Sequence, residues 1–257
     1  MKTKIYAHRG ASRYAPENTM PAFQLAYEMK ADGIETDVQL TKDGVPVLIH
    51  DENVRRTTNG TGFVEDYTLE EIKQLDAGSW FSSKYAGTSI VTLEELLQWA
   101  KPKQLLLNIE LKNNVIEYKK LEQKVYQLLF TYDLLDRTVI SSFNPKSIEK
   151  FKKIDRNVNI AFLTSTKIRR LANFTKLLGA SGIHIKYRIL STHLVGECQK
   201  HGLDLRVYTV NRPAQIVRCY KLGCTAIFTD VPDIAVKLLL HNQSVEKVTR
   251  KFPFRRR

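Results

Sequence analysis

Short runs rich in Val, Ile, Leu and Tyr alternate along the chain with longer segments in which apolar residues recur every three or four positions. The short runs are typical of buried parallel strands, which helices cover on both faces. They predict strands at Lys4–His8, Gly33–Leu40, Gln104–Lys112, Thr138–Phe143, Asn159–Thr164, Gly182–Lys186, Asp204–Val210 and Thr225–Asp230. The longer segments predict helices at Thr19–Ala31, Thr92–Ala100, Val115–Tyr132, Pro145–Ile154, Lys167–Leu178, Ser191–His201, Pro213–Leu222 and Asp233–His241.

Residues at the predicted helix ends support this division. Thr92 precedes Leu-Glu-Glu and is expected to cap its helix together with Glu95. Prolines that fit a first helical turn and glycines that fit a helix end occur at Pro145, Pro213, Gly179, Gly202 and Gly223. Eight strand–helix pairs match an α/β fold of the (β/α)8 TIM barrel type, and a doubly wound open sheet is the competing architecture.

The alternation is interrupted once, after the second predicted strand. Val45–Ile49 predicts an extra strand, residues 57–62 are polar and rich in Gly, and a short helix is expected near Thr68–Leu75. An insertion at this point of a barrel lies at the mouth, where it shapes substrate access. We therefore expect one barrel domain over residues 1–245, with a small inserted subdomain at about 51–88 and a tail at 246–257.

Composition places the chain among globular proteins. It has 257 residues, of which 43% are hydrophobic and 26% charged, so it can bury a full core. No apolar run is long enough to span a bilayer, and the basic amino terminus leads into no apolar segment of a secretory signal. The three cysteines have no metal-ligand spacing, which fits reduced thiols. These features predict a cytoplasmic protein.

The net charge of +13 raises the question of an anionic partner. Residues 1–60 hold equal numbers of acidic and basic residues, whereas residues 246–257 hold six basic residues and one acidic one. The favoured interpretation is a solvated basic tail, and the alternative is a contact between this tail and a membrane surface or a polyanion. No nucleic-acid-binding motif accompanies the charge, so no nucleic-acid partner is expected. The oligomeric state stays open.

Candidate chemistry lies where barrel active sites form, at the carboxyl ends of the strands. Glu35 and Asp37 are two residues apart, so they point to the same face of a strand, and Glu110 and Lys112 have the same relation. One lysine does not neutralise three inward-facing carboxylates, whereas a divalent cation would. Oxygen ligands favour Mg²⁺ or Ca²⁺ over zinc, which usually recruits histidine.

Two histidines also end predicted strands. His8 precedes Arg9 and Gly10, and His50 precedes Asp51. Near a metal site, two imidazoles suit a general acid and a general base, because they titrate close to neutral pH. The planar fork of Arg9 suits a pair of phosphate oxygens. A metal, Arg9 and Lys112 in one place predict an oxyanion or phosphoryl site.

Seven motifs, four of them in the first 51 residues and three further on, closely resemble the glycerophosphodiester phosphodiesterase family. The motifs are His8-Arg9-Gly10, Pro16-Glu17-Asn18-Thr19, Gly33-Ile34-Glu35-Thr36-Asp37-Val38, His50-Asp51, Asn108-Ile109-Glu110-Leu111-Lys112, Thr209-Val210-Asn211 and Ile227-Phe228-Thr229-Asp230. The resemblance spans about residues 4 to 236. It implies a TIM barrel that hydrolyses glycerophosphodiesters to sn-glycerol 3-phosphate and an alcohol.

The resemblance also implies roles for individual residues. Glu35, Asp37 and Glu110 would bind one divalent metal ion, His8 and His50 would be the acid and the base in an order left open, and Arg9 and Lys112 would hold the phosphate. The motif at the last strand is expected to be structural. The family often has Trp where this chain has Tyr208, which leaves the shape of the substrate pocket open.

Several residues near these have two interpretations. Glu17 is expected to orient Arg9 rather than line the site, and Asp51 either fixes the tautomer of His50 or forms a turn. Asn18 or Thr19 is expected to cap the first helix. The remaining histidines, including His184, are taken as ordinary residues, with a secondary role at the mouth left open for Lys186.

Two alternative functions remain at this stage. The basic tail motivates a lyso-phospholipase D that acts on lysophospholipids at a membrane surface. A non-catalytic barrel that only binds a phosphoester is the other, but a degenerate site is expected to have lost at least one of the carboxylates or histidines.

Overall fold

The computed structural model, which describes residues 3–240, contains eight parallel strands in a closed barrel. In the described residues these strands are β1 (Lys4–His8), β2 (Gly33–Leu40), β4 (Leu106–Leu111), β5 (Thr138–Ser142), β6 (Ile160–Thr164), β7 (Gly182–Lys186), β8 (Asp204–Tyr208) and β9 (Ala226–Thr229). The order runs β1-β9-β8-β7-β6-β5-β4-β2, and β1 also pairs with β2, which closes the ring. The predicted TIM barrel is confirmed, and the open sheet is excluded.

Helices connect the strands and cover the barrel. Their bounds are α1 (Met20–Glu28), α2 (Leu69–Lys73), α3 (Leu93–Ala100), α4 (Leu121–Thr131), α5 (Pro145–Ile154), α6 (Leu171–Leu177), α7 (Thr192–Lys200) and α8 (Pro213–Lys221), and residues 232–240 are also helical. The main core lies between the strands and these helices and includes Phe23, Leu97, Leu107 and Phe151.

Two helices begin later than predicted. The residue before α4, Lys120, has φ of 65°, and the residue before α6, Arg170, has φ of 54°. A residue in the left-handed region cannot continue a right-handed helix, so the apolar positions upstream of each belong to a loop. Hydrophobic periodicity does not report this backbone conformation.

The cap predicted for α1 is wrong, whereas the one predicted for α3 is confirmed. Thr19 stands at the N-cap position of α1, but its hydroxyl donates to the Pro16 carbonyl, 2.5 Å away, and caps no backbone amide. Thr92 and Glu95 form the reciprocal capping box at α3. The glycines after α6, α7 and α8 all have positive φ, as helix ends favour.

The insertion has its own hydrophobic cluster. The predicted extra strand is β3 (Pro46–Leu48), which pairs antiparallel with β2. Beyond it, short 3-10 turns and α2 pack around a second group of apolar side chains: Val47, Ile49, Val54, Val64, Ile72, Ala77 and Ile90. The Tyr85 hydroxyl donates to the Tyr14 carbonyl, which ties the insertion to the loop after β1 at the carboxyl end of the barrel.

The predicted basic tail, 246–257, and His241 lie outside the described residues. Within 3–240, no helix combines the length and the apolar character needed to cross a membrane. The three cysteines, Cys198, Cys219 and Cys224, are free and buried.

Replacing Thr92 with Ala should lower the free energy of unfolding by about 1 kcal/mol, because the Glu95 amide loses its acceptor 3.1 Å away. Thr92→Ser retains the hydroxyl and should retain most of the stability. Urea denaturation of both variants measures the difference, and equal losses would show that the cap is not responsible.

Candidate active site

A cavity of about 230 Å³ opens at the carboxyl ends of the barrel strands. One part of its wall comes from the early strands and carries ionisable groups, among them His8, Arg9, Glu35, His50 and Glu110. The opposite part is more apolar and comes from the later strands, with Phe143, Leu163, Lys186, Tyr208 and Phe228. Most of the sequence-predicted candidates therefore line one cavity.

The three predicted metal ligands form a tight acidic cluster. One carboxylate oxygen from each of Glu35, Asp37 and Glu110 lies within 4.8 Å of the others. Glu35 and Asp37 are two residues apart on β2 and point to the same face, and Asp37 pairs in register with Glu110 on β4. Sheet geometry alone therefore brings the three carboxylates together. An oxygen-only donor set of this kind fits a hard divalent cation.

Burial and mutual repulsion perturb these carboxyls. Burial raises the pKa of Glu35 above its usual range, and the charge of Asp37 raises it further. Burial likewise raises the pKa of Glu110 despite the nearby Lys112 ammonium. Burial opposes ionisation of Asp37 as well, but Arg9 and the other neighbouring cations hold the pKa of this carboxyl below its usual range. Asp37 is therefore the fixed negative charge of the cluster.

Two cations border the cluster. Nζ of Lys112 lies 3.2 Å from a Glu110 oxygen and 4.0 Å from Oδ1 of Asp37. Nε of Arg9 lies 3.3 Å from Oδ2 of Asp37, and its Nη1 donates to Glu17 at 2.8 Å. The contact expected between Glu17 and Arg9 is thus present, and it leaves Glu17 as a group that orients the guanidinium.

The backbone turn after β1 sets the position of Arg9. Arg9 has φ of 56°, and its amide donates to Oε2 of Glu35 at 2.8 Å. Gly10 follows with φ of 81°, and a Cβ there would stand 2.7 Å from backbone and side-chain atoms of Ala22. Only glycine permits this turn, because it has no side chain to clash with α1.

His8 is held by the carboxylate of Asp230, which directly follows the last barrel strand, β9. Its Nδ1 lies 2.7 Å from Oδ1 of Asp230. Two neutral groups donate to the same carboxylate, the Asn211 amide at 2.5 Å and the Ser12 hydroxyl at 3.2 Å. Burial disfavours the imidazolium, but the hydrogen bond with Asp230, together with the Glu35 charge, raises the pKa of His8 above its ordinary value.

His50 has a similar partner in its own neighbour. Nδ1 of His50 lies 2.6 Å from Oδ1 of Asp51, so of the two interpretations of Asp51 the structure places it on the histidine. Burial opposes the charge on Asp51, but the hydrogen bonds from Arg56 and His50 lower its pKa to about 2. In both histidines Nδ1 faces an aspartate, which leaves Nε2 for other contacts.

Sequence reasoning missed how Asp37 is held. Asn18 does not cap α1: it has φ of 57°, its amide nitrogen donates to Oδ2 of Asp37 at 3.0 Å, and its oxygen accepts from the Thr36 hydroxyl at 2.7 Å. An asparagine just before a helix is typical of an N-cap, so the sequence could not distinguish a cap at Asn18 from a residue that binds Asp37.

Asp230 and Asn211 were also missed as groups of the site, because the last-strand motif that contains Asp230 was expected to be structural and Asn211 was given no role. The signal was present, since Asp230 directly follows the last strand and therefore lies at the carboxyl edge. Barrel closure makes β9 the neighbour of β1, which brings Asp230 to His8. Asp230 contacts His8 directly, and the Asn211 amide donates to Asp230.

Tyr208, His184 and Lys186 all line the cavity. The Tyr208 ring makes an edge contact with Phe143, and its hydroxyl has no hydrogen-bond partner among the described residues. His184 is fully buried against Phe228, and burial together with Arg206 holds its pKa well below the ordinary value, so it is neutral. Lys186 is exposed at the mouth.

Comparison with known proteins gives a consistent result. Residues 8–234 match the model of the Glycerophosphoryl diester phosphodiesterase family. The chain is 43% identical to a glycerophosphodiester phosphodiesterase of Caldanaerobacter subterraneus subsp. tengcongensis, over 93% of this chain and 98% of that protein.

Solved structures show the same similarity. An Oleispira antarctica phosphodiesterase, determined in complex with the product sn-glycerol-3-phosphate, gives a TM-score of 0.87 at 29% identity, over 93% of this chain and 97% of that one. A glycerophosphodiester phosphodiesterase from Agrobacterium tumefaciens gives 0.81 at 32% identity, over 91% and 99% of the two chains.

Replacing Asp230 with Asn should lower the pKa of His8, because the hydrogen bond to the carboxylate and its charge no longer oppose the effect of burial. NMR titration of the His8 ring in the presence of a chelator measures this shift. Asp233→Asn, which alters only the acceptor of the Tyr14 hydroxyl, is the control. An unchanged titration in Asp230→Asn would show that Asp230 does not stabilise the imidazolium.

Proposed function

The chain belongs to the glycerophosphoryl diester phosphodiesterase family, and we propose that it hydrolyses glycerophosphodiesters to sn-glycerol 3-phosphate and an alcohol. The observation that carries this proposal is one cavity that joins a buried acidic triad to two histidines, each paired with an aspartate. The product found in the Oleispira enzyme supports the same substrate class.

Glu35, Asp37 and Glu110 would hold one divalent cation, Mg²⁺ or Ca²⁺. The fit rests on the oxygen donors and on Oδ1 of Asp37, a buried atom with no hydrogen-bond partner among the described residues. When bound, such an ion would polarise the phosphoryl oxygens and offset the charge that grows in the transition state.

Arg9 and Lys112 would bind the phosphodiester from the protein side. Both are held by carboxylates on one flank, Arg9 by Glu17 and Lys112 by Glu110, so their geometry is set before substrate arrives. A cation fixed in this way stabilises the developing charge without having to reorganise.

The two aspartates that hold the histidines differ in their other hydrogen-bond partners, and this difference supports an assignment of the proton transfers. Asp230 accepts its other hydrogen bonds from neutral groups and keeps its full negative charge for His8, whereas Asp51 shares its charge with Arg56. His8 would therefore carry a proton and deliver it from Nε2 to the leaving alkoxide. His50 would take a proton at Nε2 from the attacking hydroxyl, which belongs to water or to the glycerol of the substrate.

Chelation should abolish release of sn-glycerol 3-phosphate from glycerophosphocholine, and added Mg²⁺ or Ca²⁺ should restore it. Glu35→Gln should prevent the restoration, because it removes one carboxylate from the triad. Glu70→Gln, at an exposed position of α2, should behave as wild type. Failure to release product from several head groups, with metal bound, would contradict the proposed substrate and favour a lysophospholipid.

Replacement of His8 or His50 by Ala should each lower turnover by roughly 10²–10⁴-fold. A glycerol phosphodiester of p-nitrophenol needs no protonation of its leaving group, so it should rescue His8→Ala far more than His50→Ala. Turnover of both substrates by both variants gives the comparison. Rescue of His50→Ala instead would reverse the assignment, and near-native turnover in both variants would remove the histidines from the reaction.

A further inference from the structure

One arginine in the insertion contacts two carboxylates of the active site at the same time. Nη1 and Nη2 of Arg56 donate to the two oxygens of Glu17 at 2.9 and 2.8 Å. Nε and Nη2 donate to the two oxygens of Asp51 at 2.5 and 3.2 Å. The guanidinium therefore forks into both carboxylates, a geometry that the point charge of a lysine cannot reproduce.

Each of these carboxylates already holds a group that the proposed function uses. Asp51 accepts from Nδ1 of His50 at 2.6 Å, and Glu17 accepts from Nη1 of Arg9 at 2.8 Å. Arg56 is thus one side chain away from the proposed base and one side chain away from the proposed phosphate-binding cation. A shift of Arg56 would remove one partner from Asp51 and one from Glu17 at the same time.

The charges explain why a cation stands at this point. Glu17 and Asp51 are two further anions beside a buried acidic triad, and the Glu17 side chain is only 13% exposed. Burial opposes the charge on Glu17, but the hydrogen bonds from Arg56 and Arg9 lower its pKa below the usual range. Without Arg56, Asp51 and Glu17 would repel each other and would have no common partner.

The insertion fixes the arginine itself. Arg56 ends the 3-10 turn Val54–Arg56, whose first residue, Val54, is fully buried in the second hydrophobic cluster. The Asn53 side chain caps this turn by accepting from the Arg55 amide at 3.0 Å. The position of the guanidinium therefore depends on the fold of the insertion.

We propose that Arg56 is a positioning residue that holds Asp51 and Glu17, and through them His50 and Arg9, so that the insertion sets the geometry of the base and of the phosphate-binding arginine. This inference rests on the proposed function for its kinetic consequence, but the hydrogen bonds that it invokes can be measured without turnover.

The test compares Arg56→Gln, Arg56→Lys and Arg55→Gln in the full chain. Arg55 is the matched control, because it lies on the same turn, is exposed, and has no ion pair among the residues that the structure describes. Arg56→Gln should lower kcat/KM by roughly 10–100-fold, as loss of a group that orients a reacting residue usually does. Arg56→Lys should recover only part of this loss, and Arg55→Gln should resemble wild type.

A double-mutant cycle separates positioning from a general loss of stability. Glu17→Gln and Arg56→Gln disrupt the same contact, so the double variant should lose much less activity than the product of the two single losses. Additive losses, with thermal unfolding unchanged, would show that Arg56 does not act through Glu17.

NMR of the His50 Nδ1 proton supplies a readout that does not depend on activity. Its resonance, assigned with His50→Gln, should shift or broaden in Arg56→Gln and stay in place in Arg55→Gln. An unchanged resonance together with near-native kcat/KM in Arg56→Gln would overturn the inference. An inactive wild type would overturn the proposed function alone, since the resonance would still report whether Arg56 holds Asp51.

Discussion

Three carboxylates share one small region at the barrel mouth, and their mutual repulsion is the constraint on which the surrounding polar structure depends. Two like charges about 4 Å apart near a protein surface repel by roughly 4 kcal/mol, so three carboxyls whose oxygens lie within 4.8 Å of one another do not ionise independently. The positive charges of Arg9 and Lys112 offset part of this repulsion. The site is therefore an arrangement of opposite charges, and the proposed cation would complete the balance.

The compensation spreads outward in layers of alternating charge. Arg9 contacts Asp37 and is held by Glu17, which is held in turn by Arg56. The same guanidinium reaches Asp51 and so His50. His8 contacts Asp230, whose other hydrogen-bond donors, Asn211 and Ser12, are neutral, so the alternation of charge stops there. Both histidines contact an aspartate through Nδ1, but Asp51 also binds a cation, Arg56, whereas Asp230 binds no second cation among the described residues.

Sequence reasoning succeeded where a local rule fixes geometry. The alternation of a strand places Glu35 and Asp37 on one face, and the rule for barrel strands places Glu110 and His8 at the same edge. It failed where the same local pattern fits two roles: Asn18 precedes a helix and was expected to cap it, but its side chain binds Asp37. It also failed for Asp230 and Arg56, because their contacts join segments that are distant in the chain and depend on closure of the barrel and folding of the insertion.

The pairing of His8 with Asp230 spans 222 residues and therefore has a consequence for synthesis. At the usual rate of translation, about 5–20 residues per second, the first strand exists for roughly ten seconds or more before its partner aspartate is made. All three carboxylates of the acidic triad lie in the first 110 residues, so the whole triad is synthesised long before Asp230. The nascent chain consequently acquires these groups in a fixed order, and His8 can pair with Asp230 only after the final strand has been made.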